Sequence, residues 1–327
     1  MLEGKDLILA TQKFAKEKRL ESWMHLLITL MTFVILYLGI FMNTPLWLKW
    51  VCSILAGLNI VRMFVIYHDY AHKTILQNSW LAQGIFTFFG LYILAPLSIW
   101  RRSHDYHHKH NSKLYTSSIG SFPIVTKEKY LEAKPQDRAI YLFIRHPLTI
   151  SAGYIFAFAY GMCIKSFISS KEKHWDSVLS LVLHYSIGIL IWIYGGLTLF
   201  FLGFLIPSVI ASAIGAYLFY AQHNFPGTTF SEKEDWTYTA AALESSSYMK
   251  MNFIMRWFTA NIGYHHIHHI NAKIPFYRLP EVFAAFKEFQ HPKTTSLNPG
   301  DILACFKLKV WDTEKQQMIG LETLRRK

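Results

Sequence analysis

The chain has 327 residues, 52% of them hydrophobic and 16% aromatic, and its 33 Lys and Arg against 21 Asp and Glu give a formal net charge of +12. With a positive mean hydropathy, this composition excludes an ordinary soluble globule and favours a bilayer as the solvent. The charge does not point to nucleic acid: Lys and Arg gather in the N-terminal arm, in residues 101–145, which hold nine of them, and in the C-terminal third, which is the pattern of the positive-inside bias.

In chain order, a polar arm carrying Lys5, Lys13, Lys16, Lys18 and Arg19 comes first. It lacks the short apolar core and small-residue cleavage site of a secretory signal, so no cleaved leader is expected. Apolar stretches near 24–42, 46–67, 148–167 and 177–200 each approach the roughly 20 residues needed to cross a bilayer. Two others, 81–100 and 202–220, are interrupted by Pro96 and Pro207, with Gly195, Gly196 and Gly203 nearby. These two are expected not to cross, since proline removes a backbone donor and glycine loosens a helix.

With a cytoplasmic N-terminal arm, residues 43–45 and 169–176 become external turns, and the basic segment 101–145 returns to the cytoplasm. No apolar run of membrane length follows Asn224. The expected architecture is therefore an all-α integral membrane protein with one domain spanning 1–327. It has about four transmembrane helices, further membrane-embedded or interfacial helices, and a cytoplasmic helical cap, with both termini cytoplasmic. Cys52, Cys163 and Cys305 lie too far apart for a CxxC site and are expected to be packing residues.

Sixteen histidines are present, and eleven of them fall in four places, after apolar stretches or in the polar C-terminal third. His68 and His72 are four residues apart. His104, His107 and His108 have i, i+3, i+4 spacing, and His265, His268 and His269 repeat it. His223 stands alone after the last long apolar stretch. Such spacings bring imidazoles to one helical face, and the inferred topology puts all four groups on the same side of the membrane.

A lone HxxxH is more often incidental than functional, and His25, His146, His174, His184 and His291 are read as ordinary structural residues. The joint pattern is different, because ionisable groups near membrane depth are costly and usually functional. Zinc needs three or four protein ligands. Nine candidates suffice for two ions of higher coordination number, and two irons are the natural reading. HExxH is absent, and Glu288 to His291 matches Glu-x-x-His only once, without the partners a soluble di-iron bundle needs.

At these residues the chain resembles the membrane fatty acid desaturases, with their three histidine boxes, and is most similar to the bacterial acyl-lipid branch. The likeness runs from about Val65 to Leu279. It includes Asp235-Trp236, Trp257-Phe258 and Asn261-Ile262-Gly263-Tyr264 before the third box, and Ala272-Lys273-Ile274-Pro275 after it. The resemblance implies that His68, His72, His104, His107, His108, His265, His268 and His269 ligate iron, with His223 as the additional histidine; His110 and His266 fall outside the pattern. The centre of the first box is Asp69, Tyr70 and Ala71 where many relatives have Asp, Cys and Gly, so it departs from them at Tyr70 and Ala71. Asp69 and Asp105 each follow the first histidine of a box and are candidates to orient it. Asn261 is placed with them.

The implied reaction is oxygen-dependent desaturation of a fatty acyl lipid at two irons (Fe2+/Fe3+). O2 is co-substrate, and electrons come from an external ferredoxin with its reductase, since no GxGxxG fingerprint or fused redox module is recognisable. The implied location is the bacterial inner membrane, with the site on the cytoplasmic side. A related hydroxylase or ketolase acting on fatty acids, alkanes or carotenoids is the nearest alternative. A non-redox metal transporter or sensor is a more distant one, because the histidines cluster at one face rather than at mid-membrane.

Overall fold

The computed structural model describes residues 2–116 and 118–324. After α1 (Gly4–Thr11) come two long apolar helices, α2 (Arg19–Phe41) and α3 (Leu46–Ala71), of 23 and 26 residues. At about 1.5 Å per residue each exceeds the roughly 30 Å hydrocarbon layer. Pro45 separates them: it cannot extend α2, and directly before α3 its missing N–H costs nothing. The pair is antiparallel, with Asn59 donating to the Thr29 carbonyl at 3.0 Å. The outer faces remain apolar and exposed at Met31, Val34, Ile35 and Trp47, as a lipid solvent demands.

The hydroxyl of Ser79 caps α4 (Trp80–Tyr92), accepting from the Ala82 N–H. The chain then turns by 86° into α5 (Leu97–His110). Leu94 adopts φ 59° at this corner, and Pro96 cannot donate a helical hydrogen bond across it.

The stretch expected as a span near 148–167 is broken up. α6 (Lys127–Glu132), α7 (Pro135–Ile144) and α8 (Pro147–Ser151) precede a π-helical segment, Tyr154–Lys165, and α9 (Ser166–Ser169). Tyr154–Ser169 is apolar but shorter than a bilayer crossing. Gly153 abuts Ser212 and Ala216, and Phe158 meets Phe64. The turn after it, expected on the external face, lies instead beside α5. There His174 meets Ser98 and Arg102, and Asp176 accepts from the Ser98 hydroxyl at 2.7 Å. The segment buries only Tyr154, Ala159 and Cys163 and leaves Ile155, Tyr160 and Ile164 exposed; its path is set by the partners it packs on.

The next apolar run, Asp176–Ala221, is 46 residues long. It comprises α10 (Asp176–Phe200), a π-helical turn at Phe201–Leu205 and α11 (Ile206–Ala221). Straight, it would reach roughly 69 Å. Instead it folds at Gly196, whose φ of 75° and ψ of 179° lie in a region open essentially to glycine alone. The arms pack together, with Gly188 against Phe204 and the His184 ring 4.7 Å from Phe204. Residues 202–220, expected as non-crossing, are thus part of the second arm of this hairpin, and the fourth expected span ends at the turn rather than at residue 200. α11 then runs beside α3, with Gly57 facing Ile210.

The C-terminal third contributes α12 (Tyr238–Glu244), β1 (Tyr248–Lys250), α13 (Phe253–Phe258), α14 (His265–Ile270), β2 (Thr294–Ser296), β3 (Val310–Asp312) and β4 (Gln317–Ile319). The fold is mostly helical, as expected, and the four short strands are a small addition to it. β1 pairs in parallel with β2, and β3 in antiparallel with β4. Segments of three residues are too short to carry a legible alternation. The main core, which includes Ile66, Tyr67, Phe86, Ile267 and Phe276, joins the spans to this third and encloses the histidines.

Candidate metal centre

Histidines from α3, α5, α14 and the residues just after α3 and α11 converge in two buried groups. His68, His72, His104, His108 and His268 form one, and His107, His223, His265 and His269 the other. Within each, one ring nitrogen per residue lies within 4.8 Å of all the others. In the first group, His104 Nε2 is 2.8 Å from that of His68 and 3.1 Å from that of His108, which in turn is 3.0 Å from His268. In the second, His223 Nε2 is 3.0 Å from that of His107 and 2.9 Å from that of His265, which is 3.1 Å from His269.

These contacts do not satisfy one another. A ring nitrogen carries one hydrogen or one lone pair, so Nε2 atoms that each face two others cannot all be paired. His72 Nε2 is buried with no hydrogen-bond partner among the described residues. A cation at the centre of each group satisfies the lone pairs together. For a metal–imidazole bond of about 2.1 Å, donors at right angles stand about 3.0 Å apart, and tetrahedral donors about 3.4 Å apart. The six spacings above lie near the right-angled value, and the residues can hold a metal ion.

Two outward nitrogens orient their rings, while the buried Nδ1 atoms of His104, His108 and His265 have no partner among the described residues. His68 Nδ1 donates to Asp69 Oδ1 at 3.1 Å, and His223 Nδ1 donates to the Ser245 carbonyl at 2.9 Å. Burial pushes the His223 ring down to about 4, and it holds His265, His268 and His269 well below the usual histidine range, with neighbouring imidazoles adding to the effect. All four rings are therefore neutral at physiological pH, the state in which imidazole binds a metal.

A family model described as fatty acid desaturase matches residues 44–299. The chain belongs to the fatty acid desaturase family. Among its relatives, a fatty acid desaturase of Bacillus subtilis is 26% identical over 84% of this chain and 77% of its own length. An sn-1 oleoyl-lipid 12-desaturase of Synechocystis is 24% identical over 88% of this chain and 82% of its own. An sn-1 acyl-lipid omega-3 desaturase (ferredoxin) of Nostoc is 25% identical over 69% and 63%. This desaturase is thus an oxidoreductase of fatty acids, with histidine groups able to hold metal.

The three candidate orienting residues separate. Asp69 is buried and uses both oxygens, Oδ2 accepting from the Phe276 N–H at 2.7 Å. Asp105 is exposed on α5 and bonds no imidazole among the described residues. Asn261 does not touch the groups; its side chain donates to the Phe276 carbonyl at 3.2 Å. His266 is buried outside both groups, 3.4 Å from the Phe289 carbonyl, and His110 meets the Tyr106 carbonyl.

The sequence reading passed over two aromatic walls of the desaturase site. Trp100 stacks on His104 with ring centroids 4.9 Å apart, and Phe219 lies 5.2 Å from His107. Each stands four residues before a histidine of the site, Trp100 before His104 and Phe219 before His223, and that spacing on one helical face was the available signal. Beyond them lies an apolar pocket lined by Ile60, Phe64, Tyr154, Phe158, His184 and Ala211 among others. Phe64 separates it from Trp100, at 4.7 Å between rings.

Proposed function

We propose that this desaturase introduces a carbon–carbon double bond into a fatty acyl chain in an oxygen-dependent reaction, with two irons held by the nine imidazoles. The observation that carries this reading is the pair of convergent groups with Nε2 spacings of 2.8 to 3.1 Å. That spacing suits a six-coordinate ion better than tetrahedral zinc. His68, His72, His104, His108 and His268 would hold one ion, and His107, His223, His265 and His269 the other.

Unactivated methylenes offer no acidic proton, so side chains alone cannot remove their hydrogens. Bound iron would supply the redox capacity to couple O2 reduction to the loss of two hydrogen atoms from neighbouring carbons. The protein's own residues position and protect. Asp69 and the Ser245 carbonyl hold the Nδ1–H of His68 and His223, leaving each Nε2 lone pair directed inward. Trp100 and Phe219 keep water from the imidazoles. The apolar cavity between the helices suits an acyl chain, which would pass Phe64 and Trp100 to reach the site.

Electrons would come from a separate ferredoxin and its reductase, a donor named for the Nostoc relative. The proposed setting is a bacterial inner membrane with the histidine face and both termini cytoplasmic, in keeping with the Lys and Arg distribution. The test is expression with a ferredoxin and reductase in a host without polyunsaturated lipids, followed by gas chromatography and mass spectrometry. A new double bond that disappears without oxygen supports the proposal. Hydroxy or keto products would transfer it to the sister oxygenases.

A further inference from the structure

The C-terminal third reads as wholly polar in sequence, yet one piece of it packs below the level of the histidines. Trp257 of α13 lies against Arg62 of α3, its carbonyl accepting from the guanidinium and its ring 4.1 Å away. Arg62 Nε also donates to Thr29 Oγ1 of α2 at 3.0 Å. Along α3, Arg62 is six residues before His68, about 9 Å deeper at roughly 1.5 Å per residue. Along α2, Thr29 is ten residues past Arg19, about 15 Å into the helix by the same rise.

At this depth α2 presents Met24, Leu27, Ile28 and Met31 outward, 49%, 53%, 40% and 64% exposed. α13, linked through Arg62 to Thr29 of α2, also exposes apolar side chains: Phe253 is 79% exposed and Ile254 61%. Asn252 starts the helix, its side chain accepting from the Met255 N–H at 2.9 Å, and so directs both apolar residues away from the protein. In water both would forgo the free energy of burial, whereas hydrocarbon removes that penalty.

We infer that α13 is a hook set into the bilayer, with Phe253 and Ile254 among lipid acyl chains, anchoring the segment that leads into the third histidine group. The inference rests on α2 and α3 spanning the membrane. The link of α13 through Arg62 to Thr29, in the stretch of α2 that exposes Met24, Leu27, Ile28 and Met31, identifies bilayer acyl chains, rather than water or another protein, as what covers it.

The test is the collision of nitroxide spin labels with oxygen, which partitions into hydrocarbon, and with a water-soluble nickel chelate. Labels go on Phe253→Cys, on Ile35→Cys in α2 as the lipid reference and on Lys315→Cys as the aqueous reference, in protein reconstituted in phosphatidylcholine–phosphatidylglycerol vesicles. Unsubstituted protein, whose three cysteines are buried, provides the blank. The expected result is that position 253 behaves like 35, with oxygen collisions exceeding nickel collisions. Nickel-dominated collisions at 253 with a lipid-like 35 would overturn the hook alone. Access to neither reagent at 253 would mean that protein covers the site, and would also overturn it. Nickel-dominated collisions at 35 would remove the membrane-spanning reading and the hook together.

Discussion

Asp69 links the first histidine group to the loop behind the third: one carboxylate oxygen accepts from His68 Nδ1 at 3.1 Å and the other from the Phe276 N–H at 2.7 Å. Asn261 holds the same residue through the next peptide unit, donating to the Phe276 carbonyl. One buried carboxylate thus sets both a ring orientation and the approach of two distant segments.

Asp69→Asn is therefore expected to lower iron content and activity about 10- to 100-fold, the usual cost of losing a partner that orients a ligand. Asp105→Asn, on the exposed face, should leave both unchanged. Metal analysis of purified protein beside product formation checks the contrast.

His268→Ala should abolish desaturation and reduce bound iron. His174→Ala should do neither, although it forfeits contacts to Ser98 and Arg102 and costs about 1 kcal/mol of stability. Full turnover by the His268 variant would remove the proposed site.

Acid should destabilise the metal-free protein in a defined window. Burial pushes His266 down to about 3 from an ordinary 6.5. Between those values the unfolded chain binds a proton that the folded chain refuses, so stability falls as pH drops below 6.5 and stops falling near 3. The slope is about 1.4 kcal/mol per pH unit for each such group. His266→Gln should flatten the decline by one proton's worth in metal-free protein melted at a series of pH values.

Gly196→Ala is expected to cost about 1 to 3 kcal/mol, because its φ of 75° and ψ of 179° strain any residue with a Cβ. Thermal melts in detergent measure the loss, and an unchanged melting temperature would contradict the hairpin turn.

Ala211→Phe should fill the cavity beside Phe64 and Phe158. The expected outcome is a loss of activity that grows with acyl chain length while iron content is retained. Product analysis over a series of chain lengths makes the comparison.

By itself, the sequence determined the histidine set and part of its division. On a helix the first and last residues of HxxHH lie about 40° apart, while the middle one falls to the other side. His104 and His108 accordingly part from His107, and His265 and His269 part from His268, in the same sense. Which distant partners complete each group was decided by packing: His68, His72 and His268 meet the first pair, and His223 and His107 meet the last. Helical periodicity is local and legible, as are the apolar lengths of α2 and α3. The reversal at Gly196, the segment lying across the bundle near Cys163 and the depth of α13 depend on contacts between residues far apart in the chain. Hydropathy registers that such segments are apolar, and only their tertiary partners determine which way they run.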